Sequence, residues 1–288
     1  MINVLVTGGN GQLAKNLKDI DKNFQGLNLI YKSVEELDIT KIEDLKASLS
    51  EVKVQYCINC AAYTAVDQAE KKQSAAYTIN ELAVANMADI CNSLGIVLIH
   101  ISTDFVFDGY KSYPYNEDDK TNPQGVYGWS KRKGEIAIIE RMTDYFILRT
   151  SWLYSEHNSN FMKTMISLSK TRDELGVVDD QIGTPTYAKD LADLILKIIS
   201  SKDKRYGMYH YSNEGVASWY DFAMAIFGET GKHIKLLPIK TKDYPTLAER
   251  PRFSILDKSK IKKTFNIEIP YWRNSLKQAL INLDKIQK

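Results

Sequence analysis

Cysteine is scarce in this sequence: three in 288 residues, an odd number that excludes a disulfide framework. Net charge is almost absent as well. The 38 basic and 36 acidic residues leave +2, which removes any electrostatic reason to expect nucleic acid or a membrane surface as a partner. No apolar run approaches the roughly 18 residues of a membrane span. The opening "MINVLVTGGN" carries no basic leader, and its glycine pair comes too early for a signal peptide. These absences point to a cytoplasmic protein. Cys57 and Cys60 do form a C-x-x-C, but inside "VQYCINCAAY", which reads as a buried strand. There a separation of three sends the two side chains to opposite faces. No second Cys or His pair has ligand spacing and the four histidines are scattered, so a structural role is expected for the cysteines and no metal.

Apolar residues make up 44% and charged residues 26%, an ordinary globular balance. "INVLVTG" reads as a strand, with a helix from about Gln12, and "LNLIY" as a second strand. Thr40 and Glu43 form a candidate capping box for a helix with Ile42, Leu45, Leu49 and Val52 on its apolar face. "VQYCINCAA" is a third apolar run. Ser74 to Asn92 reads as a long helix carrying Leu82, Ala85, Met87 and Ile90, ending before Gly95. "IVLIHIST", a helix through Tyr127 and "YFILRTSW" follow. Apolar runs without strict alternation, separated by helices, predict an α/β fold: a doubly wound parallel sheet, Rossmann-like, covered on both faces. After residue 152 the rhythm loosens, and five of the seven prolines fall from Pro185 onward. Residues 1–152 are expected to form a dinucleotide-binding domain with the catalytic Tyr and Lys. Residues 153–288 are expected to be a smaller C-terminal α/β substrate-binding region, packed on the first and exchanging elements with it.

Gly8, Gly9 and Gly11 follow the first strand directly, with Ala14 one turn into the first helix. The spacing fits G-x-G-x-x-A and G-x-x-G-x-x-A equally. Either way the backbone turns tightly against a pyrophosphate, and the helix N-terminus offers unpaired N–H groups to it. At the ribose end the second strand closes on "YKS", so Lys32 and Ser33 stand where an NAD-binding loop usually has a carboxylate. A cation and a hydroxyl suit a 2′-phosphate, making NADPH the first expectation, with NADH open.

Ser102, Thr103 and Asp104 end a strand, at the edge where open α/β sheets bind ligands. Tyr127 begins the next helix in "VYGWSKRKGE", and Lys131 lies one turn on, on the same face. A nearby ammonium would lower the phenol's pKa toward neutrality, and a hydroxyl from Ser102 or Thr103 would hold a carbonyl oxygen against it. The set suits hydride transfer coupled to proton transfer at a carbonyl.

The stretches "VTGGNGQLA", "LDIT", "NCAAYTAVDQAE", "IHISTDFVFDG", "VYGWSKRKGE", "ILRTSWLY", "NFMKTM", "VVDDQIGTPT", "YHYSNEG" and "RPRFSILD" run nearly from end to end of the chain. Through them the sequence resembles the extended short-chain dehydrogenase/reductases, and among these the dTDP-4-dehydrorhamnose reductases. The resemblance implies reduction of the C4 ketone of a dTDP-linked deoxyhexose, a nucleotide-sugar substrate used for cell-surface polysaccharide. It implies Tyr127 as proton donor, Lys131 as its partner that also reaches the nicotinamide ribose, and Thr103 on the keto oxygen. Gly8, Gly9, Asn10, Gly11, Gln12 and Leu13 would wrap the pyrophosphate. Asp38 and Ile39 would flank the adenine, and Ala61, Ala62 and Tyr63 would meet the cofactor from the third strand. Ser102, Asp104 and Trp152 would hold the sugar. Some members of the family form a dimer bridged by Mg²⁺ on glutamates, one of them early in the first helix. Asn16 stands at that place, which puts a Mg²⁺ bridge in doubt and makes a monomer or weak homodimer the expectation.

A dehydratase of the same superfamily would carry glutamate after the Thr-Asp pair, where this chain has Phe105. A nucleotide-sugar 4-epimerase, and a non-catalytic binding protein resembling a methionine adenosyltransferase regulatory subunit, stay open as alternatives. Among other residues, Trp129 and Trp219 read as helix packing, and "KSKIKK" (258–263) as a solvated helix face. Arg250 and Arg252 read either as ligands of the nucleotide diphosphate or as loop caps. His157 has no catalytic role in this reading.

Overall fold

The computed structural model describes residues 1–51 and 53–287. Strand β1 (Ile2–Thr7) leads through the glycine loop into α1 (Gln12–Ile20), then β2 (Leu27–Lys32), α2 (Ile42–Glu51) and β3 (Val54–Asn59). Helices α3 (Val66–Lys71) and α4 (Gln73–Tyr77) come next. A π-helical turn (Thr78–Leu82) joins α4 to α5 (Ala83–Leu94), and β4 (Val97–Thr103), α6 (Val126–Arg141) and β5 (Tyr145–Thr150) follow. Beyond these lie β6 (Leu153–Tyr154), α7 (Phe161–Leu168), β7 (Glu174–Val178), β8 (Ile182–Gly183), β9 (Thr186–Tyr187) and α8 (Ala188–Ser201). The chain closes with β10 (Gly207–His210), β11 (Ala217–Ser218), α9 (Trp219–Thr230), β12 (Lys235–Ile239), α10 (Ser259–Phe265) and α11 (Trp272–Gln287).

Six strands form one parallel sheet in the order β2-β1-β3-β4-β5-β10. Successive residues of a strand face opposite sides, and here both sides are buried. Val4, Val6, Ile58 and Leu148 meet α1 and α8 on one face, while Leu5, Cys57, Leu98 and Ile147 meet α2, α5 and α6 on the other. Cys57 and Cys60 divide between these two cores, as their odd separation requires, and all three cysteines are free. The order reverses at β1, which has β2 on one side and β3 on the other. A crevice opens at the carboxyl ends of strands at such a point, and this places the site.

Part of the chain beyond residue 152 returns to this sheet. β10 pairs with β5, setting Tyr209 opposite Leu148, and α8 lies in the same core as α1. The rest forms a separate core from α7, β7, α9 and α11, in which Phe222, Ile226, Trp272 and Leu276 are buried. No helix among the described residues is long and apolar enough to cross a membrane.

Four expectations about the helices need correction. The Thr40 hydroxyl donates to Asp38 Oδ1 (2.7 Å), so it serves an Asx turn before α2 and forms no capping box with Glu43. Leu45 and Leu49 are buried as expected, but Ile42 is 47% exposed, and Val52 lies outside the described residues. The π-turn adds a residue to one turn of the long helix and rotates the face after it. Leu82 is therefore 56% exposed and Ala85 half-buried, while Ala83, Val84, Met87, Ala88 and Ile90 pack inward. In "KSKIKK", Lys258 is buried within 3.5 Å of Glu214 and Ile261 is in the core, so this segment anchors α10.

Candidate active site

Gly8 takes a left-handed backbone (φ +64°), and a Cβ there would come within 2.8 Å of the Ala61 backbone nitrogen. Only glycine fits. Gly9 N–H bonds Lys32 O and Gly11 N–H bonds Gly8 O, both at 2.7 Å, which closes the loop against β2. Gly11 then caps α1 without a side-chain acceptor, and the first turn of α1 has no acidic residue. The first amides of α1 are left to an external anion.

A cavity of about 610 Å³ extends from Gly11, Gln12 and Leu13 across the strand ends to Ser102, Thr103 and Asp104, then Tyr127 and Lys131, and on to Trp152, Trp219 and Arg250. Cys60 and Ala62 line it from the end of β3. Gly8, Gly9, Asn10, Ala61 and Tyr63 are not among its lining residues. Lys32 ends β2, and Asp38 and Ile39 lie on the loop after it; none of the three is among the lining residues. Ile39 is buried with Leu37 and Leu45, so its side chain serves the core.

α6 is held tightly at the end that carries Tyr127. Val126 N–H donates to Glu70 Oε1 at 2.8 Å, so "TAVDQAE" supplies a cap for this helix. Asn80, buried in the π-turn, bonds both the N–H and the carbonyl of Tyr63 and donates to the Ser130 hydroxyl. It thereby locks the loop after β3 onto α6. The Tyr127 ring meets Phe105 edge-on at 5.5 Å.

Lys131 is buried, with Nζ 2.6 Å from Ile101 O and 3.2 Å from His100 Nε2. Asn59 Oδ1 accepts from the Thr7 hydroxyl (2.7 Å) and the Ala61 N–H (3.2 Å), so its amide nitrogen faces His100 Nδ1 at 3.1 Å. This network assigns the His100 proton to Nε2, the atom facing Lys131. An ammonium there meets an N–H instead of a lone pair. Burial, opposed by the charge of Glu135, pulls the Lys131 pKa down to about 8, and burial holds His100 well below its ordinary value. The Tyr127 phenol is pushed up to about 12 by burial; the Thr103 hydroxyl lowers it and the Asp104 charge raises it. Lys131 is not among the groups that shift it, so the expected acidification by the ammonium is not what this geometry delivers. Asp104 is itself raised to about 6 by burial, against hydrogen bonds from Ser254 and Thr103.

Ser102 is the clearest departure. Its hydroxyl donates to Glu135 Oε1 at 2.6 Å, and Arg149 binds both oxygens of that carboxylate at 2.8 Å. Burial pushes Glu135 up, but Arg149 outweighs it and the carboxyl sits below its ordinary value. The donor of Ser102 is therefore spent on a buried ion pair, which leaves Thr103 as the hydroxyl nearer the phenol.

On the far side, Trp152 stacks on Trp219 at 3.6 Å and 7°. The pair depends on "DQIGTPT": Gln181 Oε1 accepts from the Trp219 indole at 3.1 Å, and a Cβ on Gly183 would lie 2.7 Å from the Trp152 ring. Trp219 thus lines the cavity, contrary to its reading as helix packing. Trp129 is 43% exposed and does not pack inward either. Arg250 grips Asp67 through both carboxylate oxygens (2.7 and 3.2 Å) while lining the cavity. Arg252 is exposed.

A family model described as the RmlD substrate binding domain matches residues 2–285. The chain is 42% identical to a dTDP-4-dehydrorhamnose reductase of Aggregatibacter actinomycetemcomitans, over 96% of this chain and 98% of that one. The chain belongs to the dTDP-4-dehydrorhamnose reductase family. Solved structures agree. A dTDP-4-dehydrorhamnose reductase from Clostridium acetobutylicum superposes with a TM-score of 0.94 at 40% identity, covering 100% of both chains. One from Bacillus anthracis, solved with NADP, has a TM-score of 0.94 at 40% identity, covering 98% of this chain and 100% of that one.

For this member of the dTDP-4-dehydrorhamnose reductase family, sequence reading missed His100, Asn59, Asn80, Glu135, Arg149 and Trp219. One kind of signal was available, for His100 and equally for Asn59 and Arg149 in their own apolar strands. A histidine inside "IVLIHIST" is a polar group in a buried strand, and such a group must find partners. Asn80 and Glu135 gave no comparable sign, because a polar residue on a helix is ordinarily solvated.

Proposed function

We propose that this chain reduces the C4 ketone of dTDP-4-dehydro-L-rhamnose to dTDP-L-rhamnose, with NADPH preferred over NADH, in the cytoplasm. The observation that carries this reading is one cavity joining an uncapped helix N-terminus, the Tyr127–Thr103 pair and an indole stack. The membership of the chain in its family supports the substrate, and the NADP in the Bacillus anthracis relative supports the cofactor.

The residues present fit a dinucleotide: the glycine loop turns tightly into α1, with Gly8 packed close on the Ala61 backbone, and the first α1 amides lack a side-chain acceptor. When bound, the reduced nicotinamide supplies a hydride to the carbonyl carbon. Tyr127 gives its phenolic proton to the carbonyl oxygen, so the ketone becomes a secondary alcohol, and the phenolate recovers a proton from water. A phenol with a pKa near 12 stays protonated at neutral pH and is still acidic enough to protonate an alkoxide. A phenol at its ordinary value near 10 would be protonated there too, so the rise leaves Tyr127 in the donor form but makes it the weaker acid. The Thr103 hydroxyl donates to Asp104 Oδ1 at 3.1 Å, and to hold the carbonyl oxygen beside the phenol it would turn that one O–H from the carboxylate to the substrate. Lys131, anchored on Ile101 O at 2.6 Å, would reach the nicotinamide ribose, and Lys32 would take the 2′-phosphate. Residues 153–288 would add Trp219, stacked with Trp152 of the first region, on the apolar faces of the sugar nucleotide, and Arg250 on its diphosphate. Asn16 is buried and bonds back to Gln12 O at 2.9 Å, which suits a monomer or weak homodimer without a Mg²⁺ bridge at that position.

The test follows the reduced-nicotinamide absorbance after adding dTDP-4-dehydro-L-rhamnose, with each cofactor in turn. One cofactor oxidised per dTDP-L-rhamnose formed is the expected result, faster with NADPH. Cofactor binding without oxidation would overturn the reading.

A further inference from the structure

The segment between β6 and α7 crosses the outer end of α1, and there three metal-ligating side chains meet. His157 Nε2 stands 2.6 Å from Asp19 Oδ2. A carboxylate oxygen of Glu156 completes a group whose three ligand atoms all lie within 4.8 Å of one another. Asp19 is exposed, His157 is half-buried and Glu156 is only 3% exposed, so the group has a buried floor and an open mouth.

Glu156 is the second observation. Its Oε1 accepts from the Tyr187 hydroxyl at 3.0 Å, but its buried Oε2 has no hydrogen-bond partner among the described residues. A buried carboxylate oxygen without a partner is costly, and a cation is what would satisfy it. The nearby lysines are engaged elsewhere. Lys163 donates to the backbone carbonyl of Glu156 at 3.0 Å, and Lys15 donates to Asn158 at 2.8 Å.

We propose that Asp19, Glu156 and His157 form a binding site for a divalent transition ion of the Zn²⁺ class, through one imidazole nitrogen and two carboxylate oxygens. The imidazole decides the class: Mg²⁺ takes oxygen ligands and water, whereas nitrogen-plus-carboxylate sets suit Zn²⁺. Three protein ligands leave coordination positions for water at the open mouth. The ion replaces the direct Asp19–His157 hydrogen bond and ties the 155–160 segment to α1. That segment already holds the glycine loop, through Asn158 Nδ2 to Asn10 O and Asn160 Nδ2 to Gln12 Oε1, both at 2.8 Å. The ion thus acts as a brace on the cofactor loop. None of its three ligands has a role in the proposed reaction, so this site and that reading stand or fall separately.

The experiment titrates the full chain, stripped with a chelator, with ZnCl2 alone in a calorimeter, and records thermal melts alongside. One saturable Zn²⁺ per chain is expected, with a rise in Tm at saturation. Glu156→Gln keeps an acceptor for Tyr187, and His157→Gln changes a side chain that is 17% exposed. Each is expected to weaken Zn²⁺ binding at least about tenfold and to abolish the Tm rise. His157→Gln should melt within about 2 °C of the metal-free parent, which separates lost binding from lost folding. MgCl2 should give no saturable binding at the same concentrations. The proposal is overturned by the absence of saturable Zn²⁺ binding, by either variant binding Zn²⁺ as tightly as the parent chain, or by Mg²⁺ binding as tightly as Zn²⁺.

Discussion

The two walls of the cavity are made of different material. The wall proposed for the cofactor, Gly11 to Leu13 and the end of β3, offers mostly backbone: uncapped helix amides, reached through the left-handed Gly8 and a tight turn. The opposite wall offers side chains, namely the Trp152–Trp219 stack, Phe161 against Trp219 at 4.7 Å, and Arg250. A backbone wall is set by strand and helix geometry, so it tolerates many residue types but not a wrong φ. A side-chain wall holds only while each partner stays in place, and its partners come from distant parts of the chain: Gln181 for Trp219, Gly183 for Trp152, Asp67 for Arg250.

Between the walls lies Tyr127, the proposed proton donor, where the largest effect is expected. Tyr127→Phe should lower kcat by about 10²- to 10⁴-fold and leave the cofactor Kd within about twofold. A stopped assay beside fluorescence titration of NADPH separates the two; equal loss in both would assign Tyr127 to binding.

The contrast between the walls is broken most directly at Gly8. Gly8→Ala places a Cβ at φ +64° and 2.8 Å from a backbone nitrogen, so cofactor affinity should fall at least about tenfold, with a stability loss of about 1–2 kcal/mol. Asn10→Ala, in the same loop, should change affinity less than about threefold, because the Asn10 atom seen in a hydrogen bond is its carbonyl oxygen. If Asn10→Ala proved as damaging, the cofactor wall would be a side-chain wall after all.

Trp219→Ala probes the other side. Losing the stack should raise KM for the nucleotide sugar about 3- to 10-fold while the cofactor Kd is unchanged, since aromatic pairs contribute about 0.5–1.5 kcal/mol beyond area burial. A changed cofactor Kd would mean that the walls are coupled.

The smallest effect sharpens the place of Lys131. Its pKa is lowered from 10.5 to about 8, so between those values the unfolded chain holds a proton that the native state has released. Stability therefore rises with pH across this window, and the cost of burying the ammonium is fully present below pH 8. The difference in unfolding free energy between the parent and Lys131→Met should climb by up to about 1.4 kcal/mol per pH unit there, measured by urea unfolding. A flat difference would mean that Lys131 keeps an ordinary pKa.

Much of the fold is legible in the sequence because it rests on local rules. Uninterrupted apolar strands state that both faces of the sheet are buried, and glycines directly after β1 state that the backbone must turn there. The same rules place Ser102 to Asp104 at a strand end, and Tyr127 and Lys131 on one face of one helix. They also separate Cys57 from Cys60 by strand parity alone. What each of these groups faces was decided by tertiary structure. Spacing cannot show that Ser102 gives its proton to Glu135, or that Asn59 turns an N–H of His100 toward Lys131. Nor can it show that a π-turn rotates α5, or that Trp219 crosses to meet Trp152. The physical reason is range. Backbone periodicity is a property of neighbours in the chain, whereas desolvation and hydrogen-bond pairing depend on which segments the fold brings together, from Thr7 to Arg250.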